Sequence, residues 1–267
     1  MAFILGGLEM QLEKLVNANK ESLNPTDMLI WKYISNHRKN VAQMSVHELA
    51  KCCAVSGATV VRFAKKLGFR GFGELKAAIN FEKPLPADYK GNVIKDIKEF
   101  HNKTLDYLAN LDYGNAVRLI CNARNVFIFS SGYVQSNVAN EMKRLFLVNK
   151  IFIIEIFNIG ELESILESLT EDDIFILVSL SGESPVVVEF ARRLKVKGVQ
   201  TISITRLSAN TLASLSTVNL YILPASFATI NDAGNTQFLN LMPFFLLVEF
   251  LYLNCRIYIE QQEKKFS

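Results

Sequence analysis

A chain of 267 residues exceeds the usual size of one domain, roughly 100 to 200 residues, so two domains are expected. Half of the residues are hydrophobic and 21% are charged, a balance that supports a buried core and excludes long disorder. The net charge of +3 conceals a division: residues 20–83 hold 11 Lys and Arg against 5 Asp and Glu, whereas residues 84–267 hold 17 against 19, so the positive charge sits where a polyanion can use it.

In chain order, residues 8–23 read as a short amphipathic helix. Asn24-Pro25-Thr-Asp27 then supplies an N-cap, a proline at the first helical position and an acid in the first turn. The helix it opens turns Ile30, Tyr33 and Ile34 inward and closes at Asn36-His37 and Arg38-Lys39. Ser45 and Glu48 have the spacing of a capping box, and Val46, Leu49, Ala50 and Cys53 form the buried stripe behind it. Ala54-Val55 make a tight turn and Ser56 caps the next helix. There, Val60, Phe63, Ala64 and Leu67 share one face, while Thr59, Arg62 and Lys66, with Lys65 at their flank, share the other. Two short helices joined by such a turn, the second with a basic outer face, form a helix-turn-helix, whose outer face enters the major groove of DNA. Gly68 ends this helix, and a further one carries Phe72, Leu75 and Ile79 inward.

Ser45-Val-His-Glu-Leu-Ala50, Ser56-Gly-Ala-Thr-Val-Val-Arg-Phe63 and Lys65-Lys-Leu-Gly-Phe-Arg-Gly-Phe72 resemble the DNA-binding domain of the RpiR family of bacterial transcriptional regulators, over roughly residues 8–82. The DNA-contact set expected on this basis is Ser56, Thr59, Arg62, Lys65, Lys66 and Arg70.

Lys83-Pro-Leu-Pro-Ala-Asp88 stops any helix and reads as a linker, so the domains are expected at 1–82 and 92–267 with the joint at 83–91. An amphipathic helix follows from Asn92 to Leu111. Five apolar runs of strand length then alternate with helical stretches: Val126–Ser130, Ile151–Phe157, Ile174–Ser179, Val199–Thr205 and Val218–Leu223. Continuous rather than alternating hydrophobicity marks strands covered on both faces, hence an α/β domain with a five-stranded parallel sheet behind an all-α first domain. Ligands in such sheets sit beyond the carboxyl ends of the strands. The first strand ends in Ser130-Ser-Gly-Tyr-Val-Gln-Ser136, and the third ends in Ser179-Leu-Ser-Gly-Glu-Ser184 before Pro185 opens a helix. Hydroxyls and backbone N–H groups at a helix N-terminus suit a phosphate.

The run Ser179-Leu-Ser-Gly-Glu-Ser-Pro185, with the strand Thr201-Ile-Ser-Ile-Thr205, resembles the sugar isomerase (SIS) domain, the usual second half of RpiR-family regulators. That resemblance implies a phosphosugar held by Ser179, Ser181, Gly182, Glu183 and Ser184, with Ser131, Gly132, Gln135 and Ser136 from the first loop. In that loop Ser130 departs from the family pattern by replacing its first glycine, and Val134 stands where a serine is common.

Aldose–ketose isomerisation needs a base, and His37, His47 and His101 all precede the five strand-length runs of the second domain. Glu141, Glu155, Glu183 and Glu249 remain as candidate bases, each read more simply as solvated or capping. Binding without catalysis is the expectation; a phosphosugar isomerase with an accessory helical domain is the alternative. Cys52, Cys53, Cys121 and Cys255 lack the spacing of a metal site, and a reduced, cytoplasmic protein with no metal and no cofactor is expected. Met1–Gly7 lacks the basic region of a signal peptide. The apolar run Phe238–Leu253 is shorter than a membrane span and holds Asn240, Pro243 and Glu249. No membrane association is expected; a helix from Thr236 to Glu260, with Phe244, Phe245, Leu247, Leu251 and Tyr252, is read as buried or as the interface of a homodimer or homotetramer. Operator DNA and a sugar phosphate complete the expected partners.

Overall fold

The computed structural model describes Leu12, Val16 and residues 19–41, 43–69, 71–81, 92–208, 210–231 and 234–266. By backbone proximity the chain divides into two units, 1–91 with 207–209 and 225–238, and 92–206 with 210–224 and 239–267. The stretch 92–267 is thus interrupted twice by segments that group with the first unit. The expected joint at 83–91 lies outside the described residues, as does most of the helix expected over 8–23, where Leu12 and Val16 are helical and buried.

The N-terminal part of the first unit is helical: α1 Pro25–Asn36, α2 Arg38–Val41, α3 Val46–Cys52, α4 Gly57–Lys66 and α5 Phe72–Phe81. Both capping boxes form. The Asn24 side chain accepts from the Asp27 N–H while Asp27 accepts from the Asn24 N–H, each at 2.9 Å, and Ser45 and Glu48 reciprocate in the same way. Ile30, Ile34, Leu49, Val60, Phe63, Ala64, Leu67 and Leu75 are buried, so the apolar faces read from helical spacing meet in one core. Tyr33, Val46 and Cys53 lie at its margin, only half-buried. The turn between α3 and α4 places Ala54 at φ 53° and closes with the Val55 N–H donating to Ala50 O at 2.9 Å.

The second unit opens with α6 Val93–Ala109, capped by Asn92, and α7 Gly114–Asn122. It continues β1 Asn125–Ser131, α8 Tyr133–Val148, β2 Ile153–Glu155, α9 Ile159–Leu166, β3 Asp173–Ser179, α10 Pro185–Lys197, β4 Gln200–Arg206, α11 Thr211–Leu215 and β5 Val218–Ile222. The strands form one parallel sheet in the order β2-β1-β3-β4-β5. Val126, Ile128, Ile174, Ile176, Ile202 and Ile204 pack on one face against α7, α8 and the C-terminal helix α12 (Met242–Phe266). Phe127, Phe129, Phe175 and Leu177 pack on the other against α9 and α10, with Phe129 stacked on Phe190 at 3.8 Å. Two covered faces explain the unbroken hydrophobicity of the strands. At the amino end of the sheet, Arg124 clamps the buried Asp173 through two hydrogen bonds of 2.6 and 3.1 Å and locks β1 beside β3.

Two expectations need correction. The second strand is only three residues long, Ile153–Glu155, and lies at the sheet edge, paired with β1 alone. Residues 225–240, read partly as helix, instead form two strands, β6 Ala225–Asn231 and β7 Gly234–Asn240, and α12 starts at Met242. A helix running through Pro243 would lack an N–H and clash with the preceding turn; Asn240 instead accepts from the Met242 N–H at 3.0 Å and starts the helix there. Of the interface residues expected on this helix, Phe244, Leu247 and Leu251 are buried in the core of their own unit, and Phe245 and Tyr252 are half-buried against it.

Candidate functional site

The first candidate surface is the outer face of α4. Ser56 caps the helix, accepting from the Thr59 N–H at 3.2 Å; its hydroxyl lies 2.8 Å from the Thr59 hydroxyl, which in turn accepts from Arg62 Nη2 at 3.1 Å. Three expected DNA contacts are thus one hydrogen-bonded ladder climbing the exposed side of the helix, and Lys65 is exposed beside it. Because the ladder fixes side chains before any ligand arrives, less entropy is lost on binding.

Lys66 differs from the others in having a partner on another helix. Its ammonium lies 2.6 Å from a carboxylate oxygen of Asp27, which is only 2% exposed. Helical spacing placed Lys66 outside, but a four-carbon stem lets its charge fold back onto α1. Arg70 lies outside the described residues.

The second candidate site lies at the carboxyl edge of the sheet. The chain leaves β1 toward β2 on one side and returns to β3 on the other, so the topological switch point falls between β1 and β3. Both serine loops are there. Ser131 and Ser179 are register partners, their hydroxyls 3.4 Å apart. Ser179 is 1% exposed and accepts from the Gly182 N–H at 3.2 Å, so it staples the loop from below. Ser181 and Ser184 stand half-exposed above it; Ser181 accepts from the Glu183 N–H, and Ser184 begins α10 without a side-chain cap. Helix α8 likewise begins at Gly132 without a side-chain cap. Two helices therefore start beside the switch point with first-turn N–H groups uncapped by side chains, an arrangement that attracts an anion. In the first loop, Ser136 bonds to Ser130 and to Gly132 O, and the buried Gln135 lies over Gly132, where a Cβ would come 2.5 Å from its carbonyl oxygen.

Glu183 has a different place from that expected. Its carboxylate accepts from both the N–H and the hydroxyl of Thr211, at 2.7 and 2.8 Å, tying the loop to the start of α11. Beside it, Gly182 (φ +69°) approaches Asn210 so closely that a Cβ would come 2.1 Å from the side-chain oxygen. Asn210 caps α11 and donates to the Thr205 hydroxyl at 3.1 Å. The Arg206 N–H donates to Leu180 O; burial lowers the pKa of the Arg206 guanidinium, and the charge of Glu183 opposes that shift. Thr205, Arg206, Asn210 and Thr211 were missed in the sequence, although Asn210-Thr-Leu-Ala213 after a strand carries a readable capping signal. Of the candidate bases, Glu141 pairs with Arg144, Glu155 with Lys143 and Glu183 with Thr211.

The sequence matches two described families, "Helix-turn-helix domain, rpiR family" over residues 10–83 and "SIS domain" over residues 119–247. The HTH-type transcriptional regulator GlvR of Bacillus subtilis is 33% identical over 254 residues, 95% of this chain and 97% of that one. A second regulator from the same organism, YbbH, is 26% identical over 84% of this chain and 83% of its own. Among solved structures, the Vibrio vulnificus NanR protein complexed with ManNAc-6P shares the fold at a TM-score of 0.50 and 19% identity, covering 95% of this chain and 94% of NanR. The sugar isomerase domain of an RpiR transcription factor from Sphaerobacter thermophilus matches at 0.50 and 20% identity over 61% of this chain and 90% of that one. With a helix-turn-helix, a SIS-like parallel sheet and a full-length relative at this identity, the chain belongs to the RpiR family of HTH-type transcriptional regulators.

Proposed function

We propose that this regulator binds operator DNA through Ser56, Thr59, Arg62 and Lys65, with Arg70 beyond them, and that a sugar phosphate at the switch point controls that binding. In this reading residues 1–82 carry DNA recognition, 83–91 connect, and 92–267 sense the effector. Ser131, Gly132, Gln135, Ser136, Ser181 and Ser184 face the ligand, while Ser179, Gly182 and Glu183 shape the loop. Lys66 serves the helical fold. Two serine loops in register between uncapped helix starts carry the proposal, because fixed hydroxyl and N–H donors recognise a phosphate without a cation. NanR, of the same fold, is solved with ManNAc-6P. The effector acts by linkage: it shifts operator affinity by the ratio of its affinities for the two states of the protein. The protein works in the cytoplasm as a homodimer, since two recognition helices read half-sites roughly 34 to 36 Å apart.

Isothermal calorimetry with a panel of hexose and pentose phosphates tests the sensor half. One member binds the wild type, and Ser181→Ala or Ser184→Ala weakens it about tenfold, the loss of one charge-assisted hydrogen bond. If no member of the panel binds the wild type, the sensor reading is wrong.

A further inference from the structure

Helices α7 and α12 lie side by side on one face of the sheet and are held in register at both ends of their contact. Tyr113, just before α7, stacks on Phe250 of α12 with ring centroids 6.5 Å apart. Asn122, the last residue of α7, donates through Nδ2 to the Tyr258 hydroxyl at 3.4 Å. The stretches Tyr113–Asn122 and Phe250–Tyr258 each advance about 12 to 14 Å, so the helices run in the same direction with matched register. Cys121 and Cys255 fall between these two contacts, and their thiols hydrogen-bond to one another. Cys255 is fully buried and continues the stripe Phe244, Leu247 and Leu251 that seals the sheet; Cys121 is half-buried in the last turn of α7. Both are free thiols. Among the described residues no group of His, Cys, Asp and Glu gathers as a metal site would need.

The two sulfurs are not equivalent. The hydrogen bond from Cys255 lowers the pKa of the Cys121 thiol against the opposing effect of burial, and the same contact together with burial raises that of Cys255. The last turn of a helix disfavours a negative charge, which leaves the neighbouring S–H as the group that favours a thiolate at Cys121. The thiolate is the nucleophile, so Cys121, which also has access to solvent, reacts first. Cys255 stands beside it as the resolving sulfur, the arrangement in which a sulfenic acid condenses to a disulfide before it oxidises further. A disulfide needs an S–S bond of about 2.05 Å between Cβ atoms about 3.8 Å apart. Two thiols already in hydrogen-bond contact, on helices of fixed register, reach it by side-chain rotation and a small approach of α12 to α7.

We infer that Cys121 and Cys255 are a thiol switch, closed to an intrachain disulfide by a hydroperoxide and reopened by a dithiol. In the first step the Cys121 thiolate attacks the terminal oxygen of the hydroperoxide; the O–O bond breaks, the sulfur becomes a sulfenic acid, and the departing alkoxide or hydroxide takes up the proton that Cys121 gave up. In the second, the Cys255 sulfur attacks the sulfenic sulfur, the S–O bond breaks, and the hydroxyl leaves as water with the Cys255 proton. The hydroperoxide is reduced by two electrons and the two thiols are oxidised to one disulfide. In a reducing compartment such a bond is transient. It pins α12 to the helix that leads into β1 and the first serine loop.

Peptide mapping of the full chain is the test. The folded protein is treated with a small excess of hydrogen peroxide and then unfolded in iodoacetamide, and its unreduced peptides are mapped by mass spectrometry. The wild type yields a cross-linked peptide joining Cys121 to Cys255, two hydrogens lighter than its separate parts, and dithiothreitol abolishes it. Dimedone present during oxidation labels Cys121 in Cys255→Ala and leaves Cys255 unlabelled in Cys121→Ala. The wild-type map needs no variant, so it decides the matter even if the buried Cys255→Ala change prevents folding. Cys121 and Cys255 both recovered alkylated, or either joined to Cys52, Cys53 or a second chain, overturns the switch. Dimedone on Cys255 in Cys121→Ala overturns the order of attack.

Discussion

The ammonium of Lys66 and the buried carboxylate of Asp27 are 2.6 Å apart and join the last turn of the recognition helix to the first turn of α1. Asp27 also closes the capping box with Asn24, so one carboxylate holds two elements of the helical unit. Lys66→Ala leaves a buried charge without its cation. Its expected cost is about 2 kcal/mol, below the figure for a fully buried pair because Lys66 is itself partly exposed. Lys65→Ala should leave stability within about 0.5 kcal/mol of the wild type. In salt titrations of operator binding the order reverses: Lys65→Ala lowers the slope by about one unit and Lys66→Ala leaves it unchanged. Urea unfolding and fluorescence anisotropy together separate the two lysines.

The Arg62 guanidinium donates to the Thr59 hydroxyl on the exposed side of the recognition helix. Arg62→Lys keeps the charge but loses the planar fork, so it should relax base preference by about 1–3 kcal/mol at a single position while the salt slope stays the same. Binding to a library of single-base operator variants measures this; uniform weakening at every position would place Arg62 on phosphate instead.

Gly182 has space for no other residue. A methyl group there meets the Asn210 side chain at 2.1 Å, and Asn210 cannot retreat without uncapping α11. Gly182→Ala should cost about 2 kcal/mol or more, from the clash and from the positive φ together. Pairing it with Asn210→Gly removes the clash but leaves the φ penalty and the loss of the Asn210 cap, so chemical denaturation should show partial recovery. Full recovery would mean that backbone strain contributes nothing.

Asp173 sets an acid limit on stability. Burial works to raise its pKa, but donors from Arg124, Thr170 and Asn125 outweigh burial and hold it below the ordinary carboxylate value. A depressed folded pKa means that its stabilisation is complete above the unfolded carboxylate value and is lost as pH falls through the folded one. Asp173→Asn should be less stable than wild type near neutral pH, with the gap closing in acid. Melting temperatures from pH 7 down to pH 3 test this, and a gap that stays constant would assign the effect to geometry rather than charge.

What could be read in the sequence was mostly local. Asn24, Ser45 and Ser56 announce their helices because each cap acts on a residue three positions away. The strands are legible because two covered faces leave no polar alternation. The ion pair of Lys66 was hidden because Asp27 lies 39 residues away, and the role of Glu183 was hidden because Thr211 lies 28 residues on. The serine loops were visible as composition, but only the strand order shows that Ser131 and Ser179 are neighbours. Strands β6 and β7 were passed over because the apolar run after them drew the helix boundary too early, although Asn231-Asp-Ala-Gly-Asn235 has the composition of a connection between strands.

Coupling between the serine loops and the recognition helix is tested most directly by one titration. Labelled DNA from upstream of the gene is bound to the full-length protein, and anisotropy is followed with and without each sugar phosphate. One sugar phosphate should shift the operator dissociation constant by roughly 5- to 150-fold, the range of ordinary allosteric coupling, and Ser181→Ala should abolish the shift while leaving effector-free binding intact. Operator binding that no sugar phosphate alters, in a protein that calorimetry shows to bind one, would contradict it.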